Sequence, residues 1–282
     1  MILTGPLDAT ATNAVRALLA AAAEADGVMP ASEDARLGLA DAGRTHVRAV
    51  QPDGRPAGYA QLGHDGTAEL VVHPDERRRG IGRALLDRVL SLGAHRVWAH
   101  GDHPGAAALA ASAGLARTRA LWQMRRPLAG LDLPEPTPPA DVQVRTFQPG
   151  DERAWLAVNA AAFADHPEQG RWTMADLSQR TSEPWFDPAG FFVAERGKRM
   201  VGFHWTKVET PTEGEVYVLG IHPGEQGSGL GRALLVTGLR YLRDRGVDEV
   251  TLYVEESNVG ARKLYSSLGF TRSAVDVQYS RT

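Results

Sequence analysis

Two stretches of this chain decide how it is read: "HPDERRRGIGRALL" at 73–86 and "HPGEQGSGLGRALL" at 222–235. Nearly the same letters are written twice, with three arginines in the first where the second has Gln-Gly-Ser. The offset is constant, since 222 − 73 and 229 − 80 both give 149. The likeness continues beyond the strings, because "RVWAHGDHPGAAALAASAGL" (96–115) has the layout of "TLYVEESNVGARKLYSSLGF" (251–270). Solenoid repeats recur every ~20–50 residues. A period this long instead marks two copies of a whole domain. Between them lies "RPLAGLDLPEPTPPADV" (126–142), with Pro127, Pro134, Pro136, Pro138 and Pro139. Prolines remove backbone donors and disfavour helix before them, which makes a stiff, extended connector. The expected organisation is a first domain at 1–127, a Pro-rich linker at 128–140 and a second domain at 141–282.

Periodicity places the elements. In the second copy, alternation predicts a strand at 142–147, and a helix follows at 151–163. Strands at 190–196 and 199–210 flank a Gly-Lys turn as a hairpin, and another strand runs over 215–223. Leu230, Leu234, Leu235, Leu239 and Leu242 recur at helical spacing, with Gly246 as the stop. A strand at 249–255, a helix at 258–267 and a strand at 273–280 complete it. The first copy has the same order: strands 46–51, 57–62 and 68–73, helix 80–92, strand 95–100, helix 105–113 and strand 118–126. Each half is therefore an α/β unit with a mixed, mostly antiparallel sheet.

The bulk numbers exclude several classes. The 282 residues are 43% apolar and 23% charged, which suits a soluble globular protein. With 31 basic against 34 acidic side chains, the net charge of −3 gives no field to attract nucleic acid or an acidic membrane. No apolar run approaches the ~18–20 residues of a membrane span, and "MILTGPLDAT" lacks the pattern of a signal peptide. Cysteine is absent, which rules out disulfides, a thiolate nucleophile and zinc-thiolate sites. A cytoplasmic monomer without metal is the expectation.

The repeated string has a physical meaning. A strand ends in a His-Pro turn, and (Arg/Gln)-x-x-Gly-x-Gly then opens a helix. Glycines let backbone N–H groups approach a ligand, and the start of a helix carries unpaired donors and positive dipole. Together they form an anion site suited to a pyrophosphate, which the arginines at 77–79 would strengthen. The Lys-Ser/Thr ending of a Walker loop is missing. The dinucleotide fingerprint fails too, because the polar residues precede the glycines and the context is antiparallel. The whole element resembles motif A of the GCN5-related N-acetyltransferase (GNAT) superfamily, whose Q/R-x-x-G-x-G/A loop binds the pyrophosphate of acetyl-CoA. The resemblance covers both halves, and "SNVGARKLYSSLGF" (257–270) resembles motif B. It implies two tandem GNAT-like domains, acetyl-CoA as donor and N-acetyl transfer.

Acetyl transfer to an amine needs a neutral amine, a donor for the developing oxyanion and a proton for the departing thiolate. An α-amine has a pKa of roughly 7.7–8, so a carboxylate acting through water suffices as base. Glu215 opens the strand leading to the second loop, and alternation puts Glu215, Tyr217 and Leu219 on one face. Tyr265 lies in the helix after Asn258, where the superfamily often has a tyrosine near the CoA sulfur. Glu215 as base and Tyr265 as acid make a coherent pair. In the first half Ala110 stands for Tyr265 and Gly66 is in register with Glu215, so that half is expected to bind acetyl-CoA without turnover.

Four more strings, "AAFADHPEQGRW" (161–172), "WFDP" (185–188), "GFHWTK" (202–207) and "GEVYVLGIHP" (214–223), are similar to the mycothiol synthase family of actinobacteria. That family acetylates the cysteinyl amine of cysteinyl-glucosaminyl-inositol, an amino-sugar thiol. The resemblance implies substrate contacts at Glu33, Glu168, Lys207, Glu215 and Tyr253, with Tyr265 as general acid. It implies acetyl-CoA contacts at Leu219, Gly220, Ile221, Gln226, Gly227, Ser228, Gly229, Leu230, Gly231, Arg232, Asn258, Val259, Gly260, Ala261, Arg262 and Lys263. In the first half Leu70, Val71, Val72, Arg78, Arg79, Gly80, Ile81, Gly82 and Arg83 take that role. Plainer readings compete. Glu33 follows Ser32 as a charge at a helix start, Lys207 faces solvent, and Trp172, Trp185 and Trp205 are core or pocket wall. Gly227 and Ser228 keep backbone donors but drop the positive charge common at those positions, with Arg232 or Arg262 compensating. Two other functions stay open: a tandem acetyltransferase for another small-molecule or peptide amine, and an acetyl-CoA sensor without turnover. The presence of both Glu215 and Tyr265 argues against the sensor.

Overall fold

The computed structural model describes every residue except Ala42, Ala129, Leu131, Asp132, Pro167, Glu168 and Thr282. The chain packs as two units. The first comprises Met1–Trp122, Glu255–Asn258 and Ala274–Thr282; the second comprises Gln123–Val254 and Val259–Ser273.

In chain order the first copy runs β1 (Ile2–Thr4), α1 (Ala9–Asp26), α2 (Glu33–Leu37), β2 (Thr45–Val50), β3 (Pro56–Leu62), β4 (Thr67–Val72), α3 (Ile81–Ser91), β5 (Arg96–Ala99), α4 (Pro104–Ser112) and β6 (Ala116–Pro127). The second runs β7 (Val142–Thr146), α5 (Glu152–Ala162), α6 (Met174–Thr181), β8 (Phe191–Arg196), β9 (Arg199–Val208), β10 (Glu213–Ile221), α7 (Leu230–Asp244), β11 (Glu249–Glu255), α8 (Val259–Ser267) and β12 (Thr271–Ser280). β6 and β12, the last strand of each copy, have residues in both units.

In the first unit the strand order is β1-β2-β3-β4-β5-β12, antiparallel except for β4 beside β5. Leu85, Leu86 and Val89 of α3 fill its core with Val47, Ala60, Val97 and Val277. Val15, Leu18, Leu19 and Ala22 of α1 pack with Tyr59 and Val71. The expected elements began at residue 46 and left α1 out, although Val15, Leu18, Leu19 and Ala22 lie at helical spacing. In the second unit the order is β11-β10-β9-β8-β7, antiparallel except for β10 beside β11. Leu230 and Leu234 of α7 pack with Val142, Ala194 and Val201. An aromatic cluster of Trp155, Phe191, Phe203 and Trp205 packs with Val218. The Pro-rich connector is anchored in this unit. Leu128 and Leu133 are buried, and Arg240 reaches the carbonyl of Pro134 at 3.3 Å and the carboxylate of Glu135 at 2.7 Å.

Among the described residues each unit shows a parallel strand pair, β4 with β5 and β10 with β11, and both pairs open. β4 is in register with β5 only over Thr67–Glu69, although it continues to Val72. β10 is in register with β11 only over Glu213–Val216, although it continues to Ile221. Val216 pairs with Thr206 and Val218 with Trp205, so Tyr217 is the extra residue of a β-bulge. Bulges bend a strand and raise its twist. β3 and β4 pair without a shift in register. The missing extra residue moves the counterpart of Glu215 from Gly66, as counted in sequence, to Thr67; neither is acidic.

Candidate functional site

In the second unit β10 ends in a tight turn where the His222 Nδ1 accepts from the Gly224 N–H at 3.1 Å. Gly227 has φ +80° and Gly229, the N-cap of α7, has φ +87°. A Cβ at either position would meet nothing within 4 Å. Backbone conformation, not crowding, therefore calls for glycine at both. Gly229 offers no side-chain cap, and the Leu230 N–H makes only a long 3.4 Å contact with Ser228 Oγ. First-turn donors at a helix start without a side-chain acceptor are what an anion site requires. Gly220 is glycine for a different reason. A Cβ there would lie 2.6 Å from the Phe203 ring.

The first unit builds the same loop differently. Gly80, the N-cap of α3, has φ +79°, but the position matching Gly227 is Arg78, at φ +62°. Leu70, Val71, Val72, Arg78, Gly80, Gly82 and Arg83 line one cleft of about 590 Å³, within the range of ligand sites. Arg79 and Ile81 do not line it. Arg79 pairs with Glu76 at 2.8 Å, and Ile81 packs on the core. Arg77 lines the cleft, but both its terminal nitrogens donate to Asp26 at 2.7 Å. The triple arginine is thus partly neutralised within the fold, a correction to the expected strengthening.

Glu215 is half-buried, directly opposite Lys207 on β9 and beside Thr251 on β11. Lys207 does not face solvent. It is 3% exposed, its Nζ lies 4.8 Å from the centre of the Trp185 ring and 5.3 Å from that of Tyr217, and it pairs with Glu209 at 3.2 Å. Tyr265 of α8 is buried edge-on against Phe270, with centroids 5.9 Å apart, and burial pushes its phenol up to about 12. Tyr253 is exposed and its hydroxyl accepts from Gln123 Nε2 at 3.1 Å. Asn258, Val259, Gly260, Ala261, Arg262 and Lys263 form the entry and first turns of α8. Arg232 on α7 donates to Ser267 of α8 at 3.0 Å. Glu33 opens α2 behind the capping Ser32. Glu168 lies outside the described residues.

Sequence reasoning missed Arg180 on α6. Its Nε donates to the hydroxyl of the bulge residue Tyr217 at 2.9 Å, and its guanidinium sits 4.1 Å from the centre of the Trp172 ring. A cue existed in "TMAD", where Thr173 and Asp176 form a capping box that starts α6. Trp205 is fully buried core, while Trp172 and Trp185 pack around it as walls. His204, the histidine of "GFHWTK", is structural. Burial pulls it down to about 4, and its Nδ1 meets the Leu234 carbonyl at 2.8 Å.

Residues 12–114 and 155–270 match the profile of the Acetyltransferase (GNAT) family. The chain belongs to this family. It is 58% identical over 273 residues to the mycothiol acetyltransferase of Thermomonospora curvata, covering 94% of this chain and 92% of that protein. It is 52% identical over 282 residues to the mycothiol acetyltransferase of Streptomyces coelicolor, covering 95% and 91%. A GCN5-related N-acetyltransferase from Sphaerobacter thermophilus superposes with TM-score 0.75 at 28% identity, over 99% of this chain and 94% of that one. A tandem GNAT protein from the clavulanic acid biosynthesis pathway gives TM-score 0.76 at 23% identity, over 99% and 98%, a likeness of fold. The protein is thus a GNAT N-acetyltransferase with two GNAT regions. Among the described residues no helix is long and apolar enough to cross a membrane. Nor do they hold a group of three or more His, Cys, Asp or Glu fit for a metal.

Proposed function

We propose that this GNAT enzyme transfers acetyl from acetyl-CoA to the cysteinyl amine of cysteinyl-glucosaminyl-inositol, giving mycothiol. The observation that carries the reading is its identity of 58%, over nearly the full length of both chains, with a mycothiol acetyltransferase. The donor supplies an acetyl thioester, and the rest of the chemistry falls to residues of the second unit.

The glycine loop at Gln226–Arg232 holds the pyrophosphate by backbone donors. Leu219, Gly220 and Ile221, past the last residues in register with β11, offer backbone groups to the donor's pantetheine arm. Glu215, whose cross-strand partner is Lys207, accepts the amine's proton, directly or through water. Tyr265, held protonated by burial, donates to the departing sulfur. Glu33, Glu168, Lys207 and Tyr253 contact the acceptor, whose hydroxyls and ammonium suit carboxylate acceptors. The first unit, with its cleft of about 590 Å³ but Thr67 and Ala110 at the catalytic positions, holds acetyl-CoA without turnover.

The test is a panel of acceptor amines with purified protein and acetyl-CoA, read by release of free CoA. Turnover on cysteinyl-glucosaminyl-inositol, lost in Tyr265→Phe and Glu215→Gln, supports the reading. Turnover confined to unrelated amines rejects the acceptor, and binding of acetyl-CoA with no turnover on any amine rejects the enzyme.

A further inference from the structure

The first unit buries a charged cluster that the proposed chemistry does not use. His100, just after β5, places Nδ1 2.9 Å from Asp276 Oδ2 on β12 and Nε2 3.3 Å from Glu69 Oε2 on β4. All three side chains are nearly enclosed, at 9–12% exposure. One imidazolium between two carboxylates leaves a net negative charge inside the fold. Three further donors offset it: the Gly101 N–H reaches Asp276 at 2.9 Å, while the Ser32 N–H and O–H reach Glu69 at 2.8 and 2.6 Å. Buried ion clusters add little net stability compared with apolar packing, and in some proteins what they contribute is a fixed geometry.

What this cluster fixes is the start of α2. Ser32 is its N-cap, and its Oγ also accepts from the Ala35 N–H at 3.1 Å. Gln61 donates to the Ala35 carbonyl at 3.1 Å, and Arg44 joins Gln61 at 2.9 Å and Asp34 at 2.7 Å. A helix as short as Glu33–Leu37 has no stability of its own. It is held at Ser32, Asp34 and Ala35, and Glu33 stands between those anchors.

We infer that the buried Glu69–His100–Asp276 cluster, acting through Ser32, positions Glu33 for recognition of the polar acceptor. Glu69 and His100 are then positioning residues for acetyl transfer. The inference rests on the proposed role of Glu33 as an acceptor contact. The rival is that the cluster serves the neighbouring cleft, which His100 also lines.

The experiment is a double-mutant cycle in the full chain with Glu33→Gln, His100→Gln and the pair, recording kcat, the KM of each substrate and the melting temperature. Glu33→Gln and His100→Gln should each raise the acceptor KM about 10-fold, leave the acetyl-CoA KM within about 2-fold, and combine to little more than either alone. Multiplied effects near ~100-fold, an unchanged acceptor KM in His100→Gln, or a rise confined to the acetyl-CoA KM each overturn the inference while leaving the role of Glu33 standing. An unchanged acceptor KM in Glu33→Gln overturns that role and the inference together. Should His100→Gln fail to fold, Ser32→Ala repeats the cycle with the ion cluster intact. Rescue of the acceptor KM by Ser32→Thr, which keeps the hydroxyl, supports the inference; no rescue overturns it.

Discussion

Arg78 gives the sharpest prediction. Both glycine loops need the left-handed region at the same position, and the second copy meets it with Gly227 at φ +80°, the first with Arg78 at φ +62°. A residue with a Cβ is disfavoured there by roughly 1–2 kcal/mol. Arg78→Gly removes that strain but enlarges the unfolded ensemble, worth roughly 0.5–1 kcal/mol the other way. The arginine is exposed, so little packing is lost. The expected net is a stabilisation of about 0.5–1 kcal/mol, or about 1–4 °C in a chain of this size. Urea titration and thermal melts measure it. Gly227→Ala, whose new Cβ would touch nothing within 4 Å, should move the midpoint the opposite way by a similar amount. Removing the guanidinium from the cleft should also weaken acetyl-CoA binding to the first unit about 3–10-fold, read by calorimetry. The two copies would then have resolved one conflict differently: the first keeps charge in a strained backbone, the second relaxes the backbone and relies on N–H donors. An Arg78→Gly protein less stable than wild type, or a neutral Gly227→Ala, refutes this reasoning.

Tyr265→Phe should lower kcat by about 10²–10⁴. Because the phenol titrates near 12, wild-type kcat should show no alkaline decline from this group below about pH 11, as a pH–rate profile would reveal. Gly238→Ala should destabilise by about 1–3 kcal/mol or more, since its Cβ would fall 2.1 Å from the ring of the buried His204; chemical denaturation checks this. Burial pulls the His100 proton affinity down, but hydrogen bonds to Asp276 and Glu69 outweigh it and leave the ring at about 10. A raised histidine stabilises fully below its unfolded value near ~6.5 and loses that contribution as pH rises through the folded one. The stability gap between wild type and His100→Gln should therefore narrow from pH 7 to 10; a gap that widens would contradict the assignment.

The order of strands and helices in both copies, the glycine loops and the apolar stripe of α7 were legible in the sequence. Each is written in local periodicity or in residues adjacent along the chain, and the duplication repeats the message. α1 was legible too, in Val15, Leu18, Leu19 and Ala22 at helical spacing, although the expected order began only at β2; α6 escaped because its start was marked only by the Thr173 box. The sequence by itself thus determined the tandem α/β architecture and the place of the two glycine loops. Only the tertiary structure decided that Arg77 is committed to Asp26, that Lys207 is enclosed between Trp185 and Tyr217, that a bulge sits at Tyr217, and that Ser32 hangs from a buried ion cluster. These facts depend on partners tens of residues or more away, or on the register between neighbouring strands. Charge pairing and strand register are settled by what folding brings close, and separation along the chain carries no record of that.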